Sequence, residues 1–216
     1  MSRWWPDAVV LTLGEGADAL ADVERRLDAA GLPARARVRV AVDSGLLRWA
    51  IVPWHPSLLR PSAREALARH VFRSVHGDVA QGWAVCCAAP RYGAGLLAGA
   101  MDAGLLSGLR ERLAARQLRL AGVAPAFTVA FDRVCPSMVA PLFWFVLHEP
   151  RWTTLLLMER REPRLIKRMP TVPDLGRCLD REWLALGMDG ARCPVHVHAA
   201  ADAVPLDAGE WAMETV

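Results

Sequence analysis

Residues 143–170 read FWFVLHEPRWTTLLLMERREPRLIKRMP, and this stretch decides the fold. Apolar runs at 142–148, 152–159 and 163–169 are separated by two short turn-forming segments, HEPR and RREP. Runs of this length that contain β-branched and aromatic residues and are bounded by turn residues predict strands. Three strands joined by tight turns are therefore expected here, at the opening of a second structural unit.

An alternating pattern marks another strand earlier in the chain. Val38, Val40 and Val42 alternate with polar or small residues, a DSG turn follows, and a second apolar run comes after it. Alternation of this kind followed by turn residues predicts a β-hairpin. The loop of that hairpin consists of Asp43, Ser44 and Gly45.

Three helix-starting signals are present. Asp18 precedes an apolar stripe and predicts an N-cap, and Ser62 followed by Glu65 predicts a capping box. Thr171 and Asp174 form a similar pair before the last helix. Strands and helices therefore mix along the chain, which is typical of an α/β fold with mixed sheets flanked by helices.

The pattern of a hairpin, a helix and strands occurs twice and suggests two lobes. The first is expected at residues 1–135, where residues 1–35 form a strand–helix appendage. The second is expected at 142–200, and the tail at 201–216 is expected to be irregular. The division falls in the segment 136–141, PSMVAP.

Composition and charge limit the classes of protein. The 216-residue chain is 53% hydrophobic and 23% charged, as globular proteins are. Its net charge of +3 is small and its arginines form no clear patch with aromatic residues, so nucleic-acid binding is not expected. The five cysteines include no C-x-x-C pair and predict free thiols in a reducing compartment. With no signal-peptide core and no apolar run near the ~18 residues that span a bilayer, a soluble cytoplasmic protein is expected.

Two histidines raise the question of a metal site. His196 and His198 alternate along the last predicted strand and share a face. Cys193 is close in sequence, and His148 on another strand could join them. Polar residues on the open face of a strand account for the same pattern, and no zinc-spaced set of cysteines and histidines occurs. The strand explanation is favoured, and no metal is expected.

No complete nucleotide motif is present. The chain has no G-x-x-x-x-G-K-[ST] sequence, and Lys167 is its only lysine. Asp43 and Ser44 could bind a phosphate or magnesium, although Asp, Ser and Gly are also the residues that tight turns use. The turn interpretation is favoured, with phosphate or magnesium binding as the alternative.

Two further stretches, taken with residues 143–170, resemble one family. They are residues 38–54, VRVAVDSGLLRWAIVPW, and residues 68–134, which run from ARHVFRSVHG to AFTVAFDRV. All three are similar to PilM-like proteins, the actin-like proteins of type IV pilus assembly, and to the cytoplasmic domain of the type II secretion protein GspL. The resemblance covers about residues 38–199. It implies a two-lobed actin-like (RNase H-like) α/β fold with a truncated second lobe.

The resemblance also implies a nucleotide cleft, and this chain departs from it. An actin-like ATPase places an acidic residue and a glycine in a turn of each lobe, so that backbone N–H groups and a carboxylate-held magnesium meet the phosphates. Here the second turn is His148-Glu149-Pro150-Arg151, which lacks glycine and loses an N–H at proline. A degenerate cleft without ATP hydrolysis is therefore expected. Its remaining positions are Asp43, Ser44, Gly45, Thr153 and Thr154.

The function that the resemblance implies is that of a non-catalytic adaptor. It would belong to a type IV pilus or type II secretion-like assembly platform and dock a segment of a membrane protein or of the assembly ATPase. The protein would then sit at the inner membrane through its partner. Aromatic residues near turns and termini are candidate contacts, since aromatics dominate interface hot spots. They are Trp5, Trp54 and Trp152.

Two other functions stay open. A nucleotide-binding actin-like ATPase or kinase would use ATP and magnesium, with Asp43 for the metal and Thr153 or Thr154 for phosphate. A small structural protein that self-associates is the third possibility. Neither the partner nor the oligomeric state can be read from the residues.

Overall fold

The computed structural model describes residues 8–14 and 18–216. Over these residues the chain forms eleven strands in three sheets, with five α-helices packed against them. The strands are β1 (Ala8–Leu13), β2 (Arg37–Val42), β3 (Arg48–Val52), β4 (Trp83–Cys87), β5 (Leu96–Asp102), β6 (Arg119–Pro125), β7 (Leu142–His148), β8 (Trp152–Glu159), β9 (Glu162–Pro170), β10 (Val195–Ala199) and β11 (Met213–Thr215). The helices are α1 (Ala19–Ala30), α2 (Pro61–His76), α3 (Ala103–Ala115), α4 (Ala126–Val134) and α5 (Leu175–Ala185).

The three strands predicted within residues 142–170 are three of the five strands of one sheet, with β7 at its centre and β9 at one edge. Its order is β11-β10-β7-β8-β9, with β7, β8 and β9 antiparallel and β10 parallel to β7. One face buries Trp144 and Leu155 against Leu179 of α5. The other face buries Phe145 against Phe127 of α4, with ring centroids 5.3 Å apart. Because both faces are covered, β7 and β8 are buried almost throughout, whereas the outer strand β9 carries charged residues and is only partly buried.

The first sheet has β2 at its centre, paired in parallel with β1 on one side and β6 on the other. The predicted hairpin between β2 and β3 is therefore wrong. After Val42 the chain makes a 3₁₀ turn at Ser44–Leu46 and enters a different sheet, where β3 pairs with β5. The alternation of Val38, Val40 and Val42 correctly predicts a strand with one buried face, but periodicity does not specify which strand lies beside it.

The predicted N-terminal appendage is part of this first layer over the residues that are described. β1 pairs with β2 along its whole length. Val23 and Leu27 of α1 are buried in the same core as Val38 and Val40 of β2. Gly31 ends α1 in the left-handed conformation (φ 55°), as its position in the sequence predicts.

The second sheet, in the order β3-β5-β4, is antiparallel and is covered by α2. Phe72 and Ala68 of α2 are its buried contacts. Leu67 and Val71 of the same helix are partly buried against this core, whereas Val75 is 69% exposed. The small Ala68 allows α2 to approach the sheet closely, which a search for large apolar residues does not anticipate.

The helix caps only partly follow the sequence signals. Asp174 caps α5, and its carboxylate accepts the Arg177 N–H at 2.9 Å. Asp18 precedes α1 without a side-chain cap. The box predicted at Ser62 does not form because α2 already begins at Pro61, whose ring presets the backbone for the first helical position.

The C-terminal tail, predicted to be irregular at 201–216, ends in a strand. β11 pairs in parallel with β10 and extends the five-stranded sheet. Trp211 is buried and packs edge-on against Trp183 of α5, with ring centroids 5.4 Å apart. A three-residue strand without apolar alternation carries no local signal. Within the described part of the chain, no helix is long and apolar enough to cross a membrane.

Candidate functional site: the junction of two turns

The first turn, residues 43–45, is closed by its own aspartate. The Asp43 carboxylate accepts the Gly45 N–H at 2.7 Å, and the Asp43 N–H donates to the Leu13 carbonyl at 2.9 Å. Ser44 is fully buried. The Gly45 N–H, which a phosphate-binding turn would offer to its ligand, is therefore already bonded, and this arrangement is that of a local aspartate turn.

The second turn, residues 148–151, is held by buried hydrogen bonds. His148 is 1% exposed, and its Nε2 lies 2.6 Å from the Val204 carbonyl. Because a carbonyl can only accept, Nε2 carries the proton and Nδ1 accepts from the Thr153 hydroxyl at 3.0 Å. Thr171 does not cap α5 and instead donates its hydroxyl proton to the Glu149 carbonyl at 2.7 Å. His148 and Thr153 thus support the turn, and their polar atoms point at protein groups.

Glu149 brings the two turns together. Its Oε1 lies 3.5 Å from the Ser44 backbone nitrogen, which donates to it, and the side chain is only 8% exposed. Burial raises the pKa of this carboxyl to about 7, and the nearby Asp43 charge adds to the effect, whereas Ser44 and Arg168 oppose it. A carboxyl of the protein therefore lies against the backbone amide that a ligand phosphate would meet.

Arg168 of β9 locks the first turn from the other side. Its Nη1 donates to the carbonyls of Ser44 at 2.9 Å and of Gly45 at 2.5 Å. The Trp152 ring stacks on the guanidinium, with 4.1 Å between its centroid and Arg168 Cζ. Trp152, a predicted partner contact, is therefore an internal support of the junction. Neither Arg168 nor Glu149 was predicted from the sequence, since only the folded chain brings them to residues 43–45.

Three buried polar atoms at this junction stand out. Among the described residues, no hydrogen-bond partner reaches Ser44 Oγ, Glu149 Oε2 or Thr154 Oγ1. β8, which carries Thr153 and Thr154, packs against the 3₁₀ turn that contains Ser44. The structure thus places Asp43, Ser44, Gly45, Thr153 and Thr154 around one junction, as the resemblance implies.

A cavity of about 250 Å³ lies beside Glu149, between the first sheet, α4 and the end of the five-stranded sheet. Its volume falls below the roughly 300 Å³ at which ordinary small-molecule sites begin. Most of its walls are apolar, and Arg133 is the one arginine in its lining as described. A triphosphate would find little positive charge here. The lining residues are Val10, Ala41, Ala126, Val129, Ala130, Arg133, Leu147, Glu149, His198 and Ala200.

The polar contacts of the β10 histidines are made within the five-stranded sheet and its C-terminal end. His198 Nδ1 lies 2.9 Å from the Val216 carbonyl, and His196 Nδ1 lies 3.3 Å from a Glu214 carboxylate oxygen on the neighbouring strand. No group of three or more His, Cys, Asp or Glu side chains among residues 8–14 and 18–216 could hold a metal ion.

A second cavity, of about 120 Å³, lies between the first and second sheets and is called the intersheet groove below. One side is formed by β6 and another by β4, and each of these is the outer strand of its sheet among the strands described. Cys86 on β4 is a free and exposed cysteine. The groove residues are Val42, Leu47, Ala84, Val85, Cys86, Gly99, Ala100, Met101, Leu106, Val123 and Pro125.

Trp54, another predicted partner contact, lines neither cavity. It is half-buried and packs edge-on against Tyr92, with ring centroids 5.2 Å apart. Trp5 lies outside the described residues, and its role stays a prediction.

Solved structures identify the architecture. A Bacteroides thetaiotaomicron protein with an actin-like ATPase fold and unknown function matches with a TM-score of 0.56 and 13% identity, over 85% of this chain and 67% of that one. The PilM–PilN type IV pilus biogenesis complex matches with a TM-score of 0.61 and 15% identity, over 88% of this chain and 70% of that one. The cytoplasmic domain of EpsL, an inner-membrane component of the type II secretion system of Vibrio cholerae, matches with a TM-score of 0.53 and 14% identity, over 97% and 88%.

At the level of sequence the chain stands apart. No protein-family model matches it, and no curated protein matches it either. The structural similarities are found at identities between 13% and 15%, so they are similarities of fold. The resemblance predicted from the sequence is confirmed at that level, and the chain has the actin-like fold, built from mixed sheets flanked by helices.

Proposed function

We propose that this protein is a non-catalytic adaptor of an assembly platform like those of type IV pili or type II secretion. It binds an extended, apolar segment of a partner protein in the intersheet groove. It acts on the cytoplasmic side of the inner membrane, where its partner holds it.

The groove is the observation that carries this proposal. Val123 of β6 and Val85 of β4 line it from two outer strands, so a peptide in the groove can pair with a strand edge and bury a side chain at once. Its volume suits the anchoring side chain of a peptide better than a whole small molecule. Main-chain pairing would then supply affinity and the cavity would supply specificity.

The structural neighbours support the same class of function. One of them is part of a complex of PilM with PilN, and another is the cytoplasmic domain of an inner-membrane component of a secretion system. Carried to this chain, these roles suggest a partner with a cytoplasmic segment and a membrane anchor.

The junction of the two turns supports the non-catalytic part of the proposal. Glu149 sits against the Ser44 N–H, and Asp43 occupies the Gly45 N–H. A phosphate that entered would have to displace a carboxyl and face two acidic side chains. Phosphoryl transfer needs positive charge around the reacting group, and Arg168 is already bonded to two carbonyls of the first turn.

Peptide binding tests the groove. Overlapping synthetic peptides that tile the cytoplasmic segments of inner-membrane proteins from the same genome would be labelled and titrated with the purified full-length chain. We expect at least one to bind, and Val123→Glu to weaken that binding at least roughly tenfold, because a charge replaces an apolar contact. Val75→Glu, at a 69% exposed position on α2, is the matched control and should bind as the wild type does. Equal binding by both variants, or no binding by any peptide, would contradict the proposal.

A thermal melt with ATP and magnesium tests the alternative. A ligand at ~100 times its dissociation constant adds about 2.7 kcal/mol to stability, which raises Tm by roughly 5–10 °C for a chain of this size. We expect no shift. A shift of that size, lost in Asp43→Ala, would replace the adaptor with a nucleotide-binding protein.

A further inference from the structure

The two most exposed large hydrophobic side chains in the described chain lie beside one hairpin tip. They are Val139, at 93% exposure, and Tyr92, at 86%, and Tyr92 is the only tyrosine of the protein. Scattered exposed apolar residues need no explanation, but two that flank the same point on the surface do.

Hydrogen bonds fix both neighbours to the β8–β9 hairpin. Arg91, next to Tyr92, donates from Nη1 to the Arg161 carbonyl at 3.1 Å. The Arg160 N–H donates to the carbonyl of Pro141, two residues after Val139. The loop before β5, the segment before β7 and the hairpin tip are thus held together as one surface.

The hairpin tip places two arginines where the backbone disfavours them. Arg160 and Arg161 form the two-residue turn between Glu159 and Glu162, and their φ values are 50° and 67°. Such turns strongly favour Asn-Gly, because a residue with a Cβ is strained at positive φ. Because this backbone strain at an exposed turn brings no packing, it suggests that the Arg160 and Arg161 side chains have a binding function.

The charge of this surface is positive. Arg91, Arg160 and Arg161 are exposed, and the Glu159 carboxylate at the base of the turn is paired with Arg164 at 3.0 Å. Glu162, the other residue at the base, leaves the three arginines in excess. Trp54 adds a second aromatic ring, in edge-on contact with Tyr92. Apolar side chains that project almost wholly into solvent, surrounded by guanidinium groups, are complementary to lipid headgroups and the acyl boundary beneath them.

We propose that this surface, which consists of Trp54, Arg91, Tyr92, Val139, Arg160 and Arg161, binds an anionic lipid bilayer directly. A protein partner would need pockets to receive side chains that project this far, whereas a bilayer interface needs none. Tyrosine and tryptophan are favoured at that interface because each has an apolar body and a polar tip.

This inference goes beyond the adaptor function and adds a direct attachment to the membrane. β4 runs from its groove residues, Ala84 to Cys86, straight to the loop that carries Arg91 and Tyr92. Lipid binding would therefore hold the groove close to the bilayer, where a membrane partner emerges. The lipid experiment requires no partner protein, so its outcome is separate from that of the peptide titration.

Vesicle co-sedimentation of the full-length chain tests the proposal. We expect the protein to sediment with vesicles of phosphatidylcholine and phosphatidylglycerol but hardly with phosphatidylcholine alone, and to be released at roughly 0.5 M salt as screening removes the attraction. Each arginine near an anionic surface should raise the affinity for the vesicles about fivefold.

The Arg160→Asn/Arg161→Gly double variant separates lipid binding from folding. It keeps the backbone bonds of the turn and supplies the residues that the turn prefers, so its Tm should not fall, while its vesicle binding should drop roughly 25-fold. Tyr92→Ser and Val139→Ser, each made in the wild-type protein, should also weaken vesicle binding. Arg110→Glu, at an exposed position on α3, is the control for a change of charge elsewhere and should bind vesicles as the wild type does.

Two outcomes would overturn the proposal. The first is no sedimentation with either kind of vesicle, which would leave this surface to an acidic protein partner. The second is vesicle binding by the double variant equal to that of the wild type.

Discussion

Replacing Glu149 with glutamine should stabilise the protein at neutral and basic pH and have little effect in acid. The carboxyl is buried, and its pKa is raised from 4.5 to about 7 by that burial. Below pH 4.5 the group is protonated in both the folded and the unfolded chain. Between pH 4.5 and 7 the folded chain holds a proton that the unfolded chain has lost. Folding stability therefore falls as the pH rises through this window and stays at the lower level above it.

The size of the effect follows from the shift. A change of one pKa unit corresponds to about 1.4 kcal/mol, so the free energy of unfolding should drop by about 3 kcal/mol between the two pH limits. Glutamine keeps the shape and the oxygen that accepts the Ser44 N–H, and it does not ionise. The stability difference between Glu149→Gln and wild type should therefore grow by about 3 kcal/mol from pH 4.5 to pH 8, which is roughly 6–12 °C in Tm.

Urea denaturation at closely spaced pH values measures this difference directly. All other titrating groups are common to both proteins and cancel when the two curves are subtracted. Glu111→Gln, at an exposed position on α3, is the matched control for removing a carboxyl. The reasoning fails if the stability difference between Glu149→Gln and wild type does not change with pH. It fails in the opposite sense if the variant is less stable than the wild type at pH 8, because Glu149 would then be ionised and stabilised by Arg168.

Two further changes test the junction and the packing of α5. Arg168→Met removes the donors to the Ser44 and Gly45 carbonyls and should lower the free energy of unfolding by about 1–3 kcal/mol. The control Arg164→Met breaks an exposed ion pair and should lower it by less than about 1 kcal/mol. Equal losses of stability in urea denaturation would refute a role of Arg168 at the junction. Gly176→Ala would place a Cβ 2.7 Å from the Ala208 carbonyl oxygen and should lower the free energy of unfolding by about 1–3 kcal/mol. In the control Gly190→Ala the added Cβ meets open space, so no loss is expected. Similar melting temperatures for the two variants would contradict the prediction, because the protein would then have relieved the contact.

The part of the fold that could be predicted is the part whose signals are local. β7, β8 and β9 lie within a residue of their predicted bounds because each run is rich in apolar residues and each turn is short. The strands on either side of the DSG turn were also predicted, but they were paired with each other, which is wrong. Val38, Val40 and Val42 need a buried face and two neighbouring strands, and any adjacent strand satisfies that need. β11 was missed for the same reason, since its pairing with β10 comes from the folded chain alone.

The candidate site shows the same limit. The positions Asp43, Ser44 and Thr154 could be predicted, because turn residues and hydroxyls are recognisable in a sequence. The side chains that determine what the site does, Glu149 and Arg168, act across 105 and 124 residues of sequence, and nothing local indicates those contacts. Trp152 as a partner contact stays a prediction, and its stacking on Arg168 is a further contact that its position after a turn does not indicate.

The proposed adaptor role and the proposed lack of nucleotide chemistry share one physical basis. A nucleotide and its magnesium, bound between two such turns, would themselves supply the contacts that join the turns. Here the contacts between the turns are made by Glu149 and Arg168, which are part of the chain. These contacts hold the five-stranded sheet to the turn at Ser44 without a ligand, and Val42 and Leu47 on either side of that turn line the intersheet groove. A binding site that is already formed loses less entropy when its partner docks, which favours tight binding over turnover.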